Sequence, residues 1–320
     1  MIKKVGIPRG MLYYEFYPIW ENFFCELGYK VISSPKTNKD ILDSGILSCV
    51  DEACLPVKIF HGHVNYLKDK VDYIFIPKII SLYPREYCCP KILGLPDMIK
   101  HSMRDLPIII DTQIIPNKKN SFEKSYIEIG KFLGKGQKES LSAFKKATNS
   151  KNRYKDWLIS QYPNTNIYKD SKDNIKLLLL GHSYNVFDEF INMDILSKLS
   201  NKNINIIVAE EVCEKDIRYY SDLIPKRIFW THGRKIIGSA YTLIKKRIID
   251  GIIYLNSFGC GLDSVLAYVV LREAIENNIP MMELTLDEQT GEAGFNTRLE
   301  AFLDMMEWRG KNEDNIPSFR

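Results

Sequence analysis

Short apolar runs alternate with longer stretches of helical periodicity along the 320 residues of the chain. That alternation is the pattern of an α/β protein. Residues 4–7 form a first strand and residues 12–27 a helix, with Tyr13, Tyr17, Trp20, Phe24 and Leu27 on one face. Residues 29–33 are a second strand, and residues 46–50 a further apolar run. Val57, Phe60, Val64 and Leu67 recur at helical spacing. A strand follows at 71–77, a short helix at 93–103, and a strand at 107–110 that closes a first sheet. Residues 122–133 and 141–159 are helical, and Gln161-Tyr-Pro-Asn-Thr-Asn166 reads as a linker.

Beyond that linker the alternation restarts. Strands are expected at 175–180, 204–208, 252–255 and 281–286, with helices between them and a last helix burying Leu299, Phe302, Leu303 and Met306. The expected architecture is therefore two Rossmann-like α/β domains, each a doubly wound and mostly parallel sheet. They would span residues 1–161 and 162–320 and carry a site at the interdomain cleft.

A hydrophobic fraction of 45% is enough to fill two cores. The formal net charge of +4 is unevenly placed, because residues 117–155 hold 11 Lys and Arg against 3 Asp and Glu. The basic character is thus one local segment, the pattern of a solvated helical face, and it lacks the interleaved aromatics of a single-strand binder. Nucleic acid is not an expected partner. No apolar run is long enough to span a bilayer, and the first residues read as a strand, so a cytoplasmic protein without membrane contact is expected. Seven cysteines in such a chain point to reduced thiols with a metal or catalytic role. No Gly-x-x-x-x-Gly-Lys-Ser/Thr loop is present, so the chain is not expected to hydrolyse ATP itself.

Three cysteines stand in settings that a core thiol does not need. Cys260 lies between Gly259 and Gly261, on the turn between a strand and a helix. Open α/β sheets place their chemistry there, and the glycines permit close backbone approach. Cys54, two residues before Pro56, stands at a helix N-terminus, where backbone N–H groups favour a thiolate. Cys88-Cys89-Pro90 follows another strand, and Cys-Pro is a recurring local setting for an iron–sulfur ligand. Adjacent cysteines point in different directions, which selects one of the pair, Cys89. All three loops are expected to follow strands. Cys25 and Cys49 are expected in the core. A structural zinc site would use Cys-x-x-Cys knuckles, which are absent, and His61 and His63 stand too close on one helix to share a metal.

Four segments together resemble the 2-hydroxyacyl-CoA dehydratase/benzoyl-CoA reductase subunit family, nearest its acyl-CoA dehydratase activase-related branch. They are Asp51-Glu-Ala-Cys-Leu-Pro-Val-Lys58, Cys89-Pro-Lys-Ile-Leu-Gly-Leu-Pro-Asp97, Asn256-Ser-Phe-Gly-Cys-Gly261 and Thr297-Arg-Leu-Glu-Ala-Phe302. The resemblance implies a [4Fe–4S] cluster bound by Cys54, Cys89 and Cys260, with one iron position open; Cys88, one residue from Cys89, is a candidate fourth ligand by its position alone. Thr297, Arg298 and Glu300 match a family helix of structural character. It also implies low-potential one-electron chemistry under anaerobic conditions and an ATP-dependent activase as electron donor. The substrate would be an acyl-CoA or another small molecule, and the assembly a homo- or hetero-oligomer. Two alternatives stay open from the residues alone: a redox carrier or regulatory partner without its own substrate, and a cluster-free α/β binding module.

Overall fold

The computed structural model of the protein describes residues 2–114, 121–148, 157–158, 175–202, 204–224 and 226–311. The chain divides into two compact units. The first comprises Met1–Pro163 and Ile228–Gly233, the second Asn164–Arg227 and Arg234–Arg320. The boundary expected near Tyr162 lies outside the described residues. The return of Ile228–Gly233 to the first unit had no signal in the sequence. It rests on main-chain bonds, with Tyr87 N–H donating to Phe229 O at 2.7 Å and Thr231 N–H to Tyr87 O at 3.0 Å. No described helix is long and apolar enough to cross a membrane.

In the first unit, strands β1 (Lys4–Ile7), β2 (Lys30–Ser33), β3 (Tyr73–Phe75) and β5 (Ile108–Ile110) form a four-stranded sheet in the order β2-β1-β3-β5. Every pairing in it is parallel. Strands β4 (Lys78–Ile79) and β6 (Gln113–Ile114) pair in parallel just beyond β3 and β5. Helix α1 (Tyr13–Glu26) buries the aromatic face read from the sequence, with Tyr13, Tyr17, Trp20, Phe23 and Phe24 all in the core. Pro18 sits inside this helix.

Helices α2 (Lys39–Leu47) and α3 (Leu55–Leu67) pack through glycine. A Cβ on Gly62 would lie 1.9 Å from Ile41 O, and one on Gly45 2.0 Å from Lys58 O, so only glycine permits this approach. Asn38 caps α2 by accepting from Ile41 N–H. Helices α4 (Pro90–Leu93), α5 (Leu95–Ser102), α6 (Ser121–Phe132) and α7 (Gln137–Thr148) complete the described part of this unit. Residues 46–50 are not a buried run: they end α2 and turn, leaving Leu47 and Val50 exposed and Cys49 half-buried. Cys25, on the polar flank of α1, is exposed rather than a core thiol.

The second unit holds β7 (Lys176–Gly181), β8 (Asn205–Val208), β9 (Gly251–Ser257) and β10 (Met281–Leu286) in the order β10-β9-β7-β8, again all parallel. Read in each sheet's own sequence, both orders are second-first-third-fourth. Central strands β7 and β9 are buried over Leu177–Gly181 and Gly251–Ser257, as apolar runs flanked on both edges require. The helices are α8 (Ser183–Phe187), α9 (Ile195–Ser200), α10 (Glu214–Ser221), α11 (Thr231–Lys245), α12 (Gly261–Glu276) and α13 (Glu292–Lys311). Helix α11 begins in the first unit's segment. Leu299, Phe302, Leu303 and Met306 of α13 are buried as expected. Arg298 donates to the main-chain oxygen of Glu283 and Thr297 to that of Ala293, which are structural contacts.

His61 and His63, both on α3, are core residues. His61 Nδ1 pairs with Val57 O at 2.8 Å and His63 Nε2 with Thr37 Oγ1 at 3.1 Å. Burial lowers both, and with the nearby Arg9 charge it takes His63 to about 3. A folded-state pKa below the unfolded value of 6.5 means that the unfolded chain binds more protons in acid. Stability from His63 is therefore complete above pH 6.5 and lost as pH falls toward 3. The expected loss is about 1.4 kcal/mol per pH unit. In urea titrations from pH 6.0 to 5.0, His63→Gln should lose stability with falling pH less steeply than the parent. Parallel curves would remove His63 as the cause.

Candidate functional site

Strand order second-first-third-fourth reverses direction between the first and third strands, and such a switch point opens a crevice beyond the strand carboxyl ends. In the second unit this lies between β7 and β9. Gly181 ends β7, and a Cβ there would meet Leu255 O at 2.6 Å, so glycine is what lets the two strand ends close up. His182 follows immediately and stands at the N-cap of α8. On the neighbouring strand, Cys260 N–H donates to Ser257 O at 3.0 Å across a turn that contains Gly259 at φ 77°. Cys260 is the N-cap of α12, and Asp263 lies in the first turn of that helix.

The two loops bring together a thiol, an imidazole and a carboxylate. One ligand atom each from Cys260, His182 and Asp263 lies within 4.8 Å of the other two. His182 Nε2 is 3.1 Å from Asp263 Oδ1, and both side chains are buried. The same oxygen accepts from Tyr254 OH at 3.3 Å, while Asp263 Oδ2 is buried with no hydrogen bond among the described residues. The His182 ring stacks on Tyr184 at 4.9 Å with an 11° interplanar angle. Beneath it, Ser257 Oγ donates to Asn185 Oδ1 at 2.8 Å. Burial opposes charge on His182, but the carboxylate of Asp263 and its contact with Cys260 outweigh it and raise its pKa to about 10. Burial, then the charge of Asp263, raises Tyr254 well above the ordinary phenol. A second polar group adjoins α8: Ser183 Oγ donates to Glu210 Oε1 at 3.0 Å, and Lys235 Nζ lies 2.7 Å from the same oxygen.

In the first unit Cys54 is the N-cap of α3 and Cys89 the N-cap of α4. Cys54 is buried and Cys89 half-buried. Lys91 Nζ donates to Glu52 O at 3.4 Å, so the loop that ends at Cys54 meets the first turn after Cys89. Cys54 follows helix α2 and a turn rather than the expected strand, because residues 39–47 are helical. Cys88 is buried, with its N–H donating to Ile80 O at 2.9 Å. Burial, then the charges of Glu15, Cys89 and Glu86, push its thiol up to about 12. Glu15 also pairs with His232 Nε2 at 3.1 Å. At this unit's own switch point, between β1 and β3, a cavity of about 20 Å³ is lined by Pro8, Gly10, Phe60, Phe75, Pro77 and Ile92.

The structure thus puts each of the three singled-out cysteines at the start of a helix, two in the first unit and one in the second. It adds His182, Asp263 and Tyr254, none of which the sequence reading gave a role. The signal for His182 was its place directly after the glycine that ends a strand, the mirror of the Cys260 setting. Asp263 carried a weaker one, three residues beyond Cys260 and hence one turn along the same helix.

Two family models match the chain. One, described as a CoA enzyme activase uncharacterised domain, covers residues 4–212. The other, described as 2-hydroxyglutaryl-CoA dehydratase, D-component, covers residues 143–306. No curated protein matches the chain. Among solved structures, the SBP FpvC in complex with a Ni2+ ion from P. aeruginosa aligns over 99% of this chain and 99% of its own, at 11% identity and TM-score 0.27. A periplasmic binding ribose operon repressor protein from Lactobacillus acidophilus aligns over 95% of this chain and 90% of its own, at 16% identity and TM-score 0.21. Likeness at such scores carries no information on fold or ligand. Each family model, in contrast, spans half of the sequence or more, and the two overlap across both units. The chain belongs to the 2-hydroxyacyl-CoA dehydratase/activase-related family.

Proposed function

We propose that this protein is an iron–sulfur component of a 2-hydroxyacyl-CoA dehydratase-type system, with one [4Fe–4S] cluster held by Cys54, Cys89 and Cys260. The observation that carries the reading is the pair of family matches, one activase-associated and one dehydratase component, on a chain whose three family-motif cysteines each open a helix. The donor set suits the group. Sulfur ligands are those an iron–sulfur cluster takes. The N-termini of α3 and α12 offer partial positive charge to a negatively charged centre. Burial of Cys54 and half-burial of Cys89 and Cys260 shield the ligands while leaving an approach. The strand order shared by both sheets supports the Rossmann-like, doubly wound description of each unit.

When bound, a cluster with an open iron position supplies one-electron chemistry on a substrate oxygen. The chain's own residues hold the ligand thiols at helix starts, exclude water with the apolar walls of the sheets, and keep Cys88 one residue from Cys89, a buried thiol that would turn outward to serve as an exchangeable ligand. The electron comes from a separate ATP-dependent activase, and the protein works in a reducing, anaerobic cytoplasm. All seven cysteines are free thiols, as such a compartment requires. Whether an acyl-CoA is transformed here or the electron is passed on divides the enzyme reading from the carrier reading, and binding of a CoA thioester to the anaerobic protein separates them.

Alanine at Cys54, Cys89 or Cys260 should abolish iron retention and the broad thiolate-to-iron absorption near ~400 nm. Alanine at Cys25, Cys49 or Cys213 should leave both, and Cys88→Ser should retain iron while altering the electron paramagnetic resonance. Full iron content in Cys260→Ala would sink the assignment.

Reduction by a cognate activase should require ATP, followed as bleaching of the cluster. The described part of the basic segment presents Lys124, Lys131, Lys138 and Lys145 as exposed cations on α6 and α7, a surface suited to docking an acidic partner. Its remaining residues lie outside those described. Screening acts within about 8–10 Å at ordinary ionic strength, so the reduction rate should fall as salt rises. Equal reduction without ATP would contradict the donor assignment, and a salt-independent rate would contradict docking through this face.

A further inference from the structure

Among the described residues, Cys260 is the one candidate ligand grouped with a second and a third possible metal-ligating side chain, His182 and Asp263. The arrangement is built from three separate elements. His182 enters from the end of β7, Asp263 from the first turn of α12, and Tyr254 from the middle of β9. Asp263 is fully buried, and one of its oxygens accepts from both His182 and Tyr254. A buried carboxylate is costly unless its partners are fixed. An apolar residue would fill the same volume at the start of α12 without that cost. What the polar version adds is orientation: Asp263 ties α12 to β7 through His182, and the ring is pinned from its face by Tyr184.

We propose that His182 is a positioning residue for Cys260, holding its sulfur in the ligand orientation and giving that sulfur a polar neighbour. Asp263 and Tyr254 act behind it by fixing the ring. The inference deepens the cluster reading and rests on it for the redox consequence alone; the contact with Cys260 stands without any metal. Groups that orient a metal ligand from behind fix its direction and basicity and so tune the site. Hydrogen bonding to cluster sulfur and exposure are among the factors that set reduction potential. Losing the imbalance-compensating polar neighbour disfavours the more negative, reduced state, so the potential should become more negative.

The test uses the full chain and two substitutions. His182→Phe keeps a ring against Tyr184 but removes both nitrogens, and His182→Gln restores one polar group at a similar reach. In iron-free protein, alkylation of each cysteine by iodoacetamide is followed by peptide mass spectrometry. The Cys260 rate should change several-fold in His182→Phe, with partial recovery in His182→Gln, while Cys54 and Cys89 keep their parental rates. In anaerobically loaded protein, His182→Phe should keep its iron and show a more negative midpoint potential. An unchanged Cys260 rate in folded His182→Phe overturns the proposal, whatever the iron content. A changed rate in a parent chain that binds no iron upholds the positioning role and overturns the cluster reading instead. If His182→Phe does not fold, Asp263→Asn carries the same comparison, with an unchanged Cys260 rate again decisive against it.

Discussion

The second unit depends on how closely two parallel strands approach at their carboxyl ends. Any side chain on Gly181 would collide with the main chain of β9 at Leu255. With glycine there, the residue after β7 and the turn after β9 stand side by side, and His182 reaches Asp263 and Cys260. The switch in strand order makes the crevice, and the missing Cβ makes it narrow enough for side chains of ordinary length to meet across it. Two contacts across the crevice follow from that closeness, His182 on the Asp263 carboxylate and Ser257 on Asn185 beneath.

Burial makes the cluster demanding as well as specific. Low local polarity strengthens each hydrogen bond and penalises each unpaired charge, so the carboxylate of Asp263 favours the charged form of His182. The position of Asp263 helps, since the first turn of a long helix favours an anion. Lys235 and Glu210 repeat the logic nearby, with Ser183 as the third member.

The first unit meets its constraints by different means. There glycine works between helices, at Gly45 and Gly62, and lets α2 and α3 pack backbone to backbone. That contact fixes the direction of α3 and with it the helix end at which Cys54 stands. The loop before Cys54 is tied to the turn after Cys89 by Lys91. Cys88 is turned inward and held neutral by burial. Adjacent cysteines thus face different surroundings, as alternate side-chain directions require.

The sequence by itself determined the alternation of strands and helices, the aromatic face of α1, the buried face of α13 and the helix starts at Cys54 and Cys260. Each of these is a local matter of periodicity, proline or glycine, which act within a few residues. The family, too, was readable from four short segments whose residue types and order are specific. It could not reveal α2, where the helical stripe is short and its last residues are apolar yet exposed, so residues 46–50 imitated a buried run. Nor could it reveal that Cys25 is exposed, because a helix crowded with aromatics gives little sign of where its buried face ends. Only the tertiary structure decided that residues 228–233 return to the first unit, and that His182 and Asp263 share one site with Cys260. His182 is brought to Cys260 and Asp263 by sheet order and strand register across some 80 residues of chain, and no periodicity within a single element records which neighbour a strand will have.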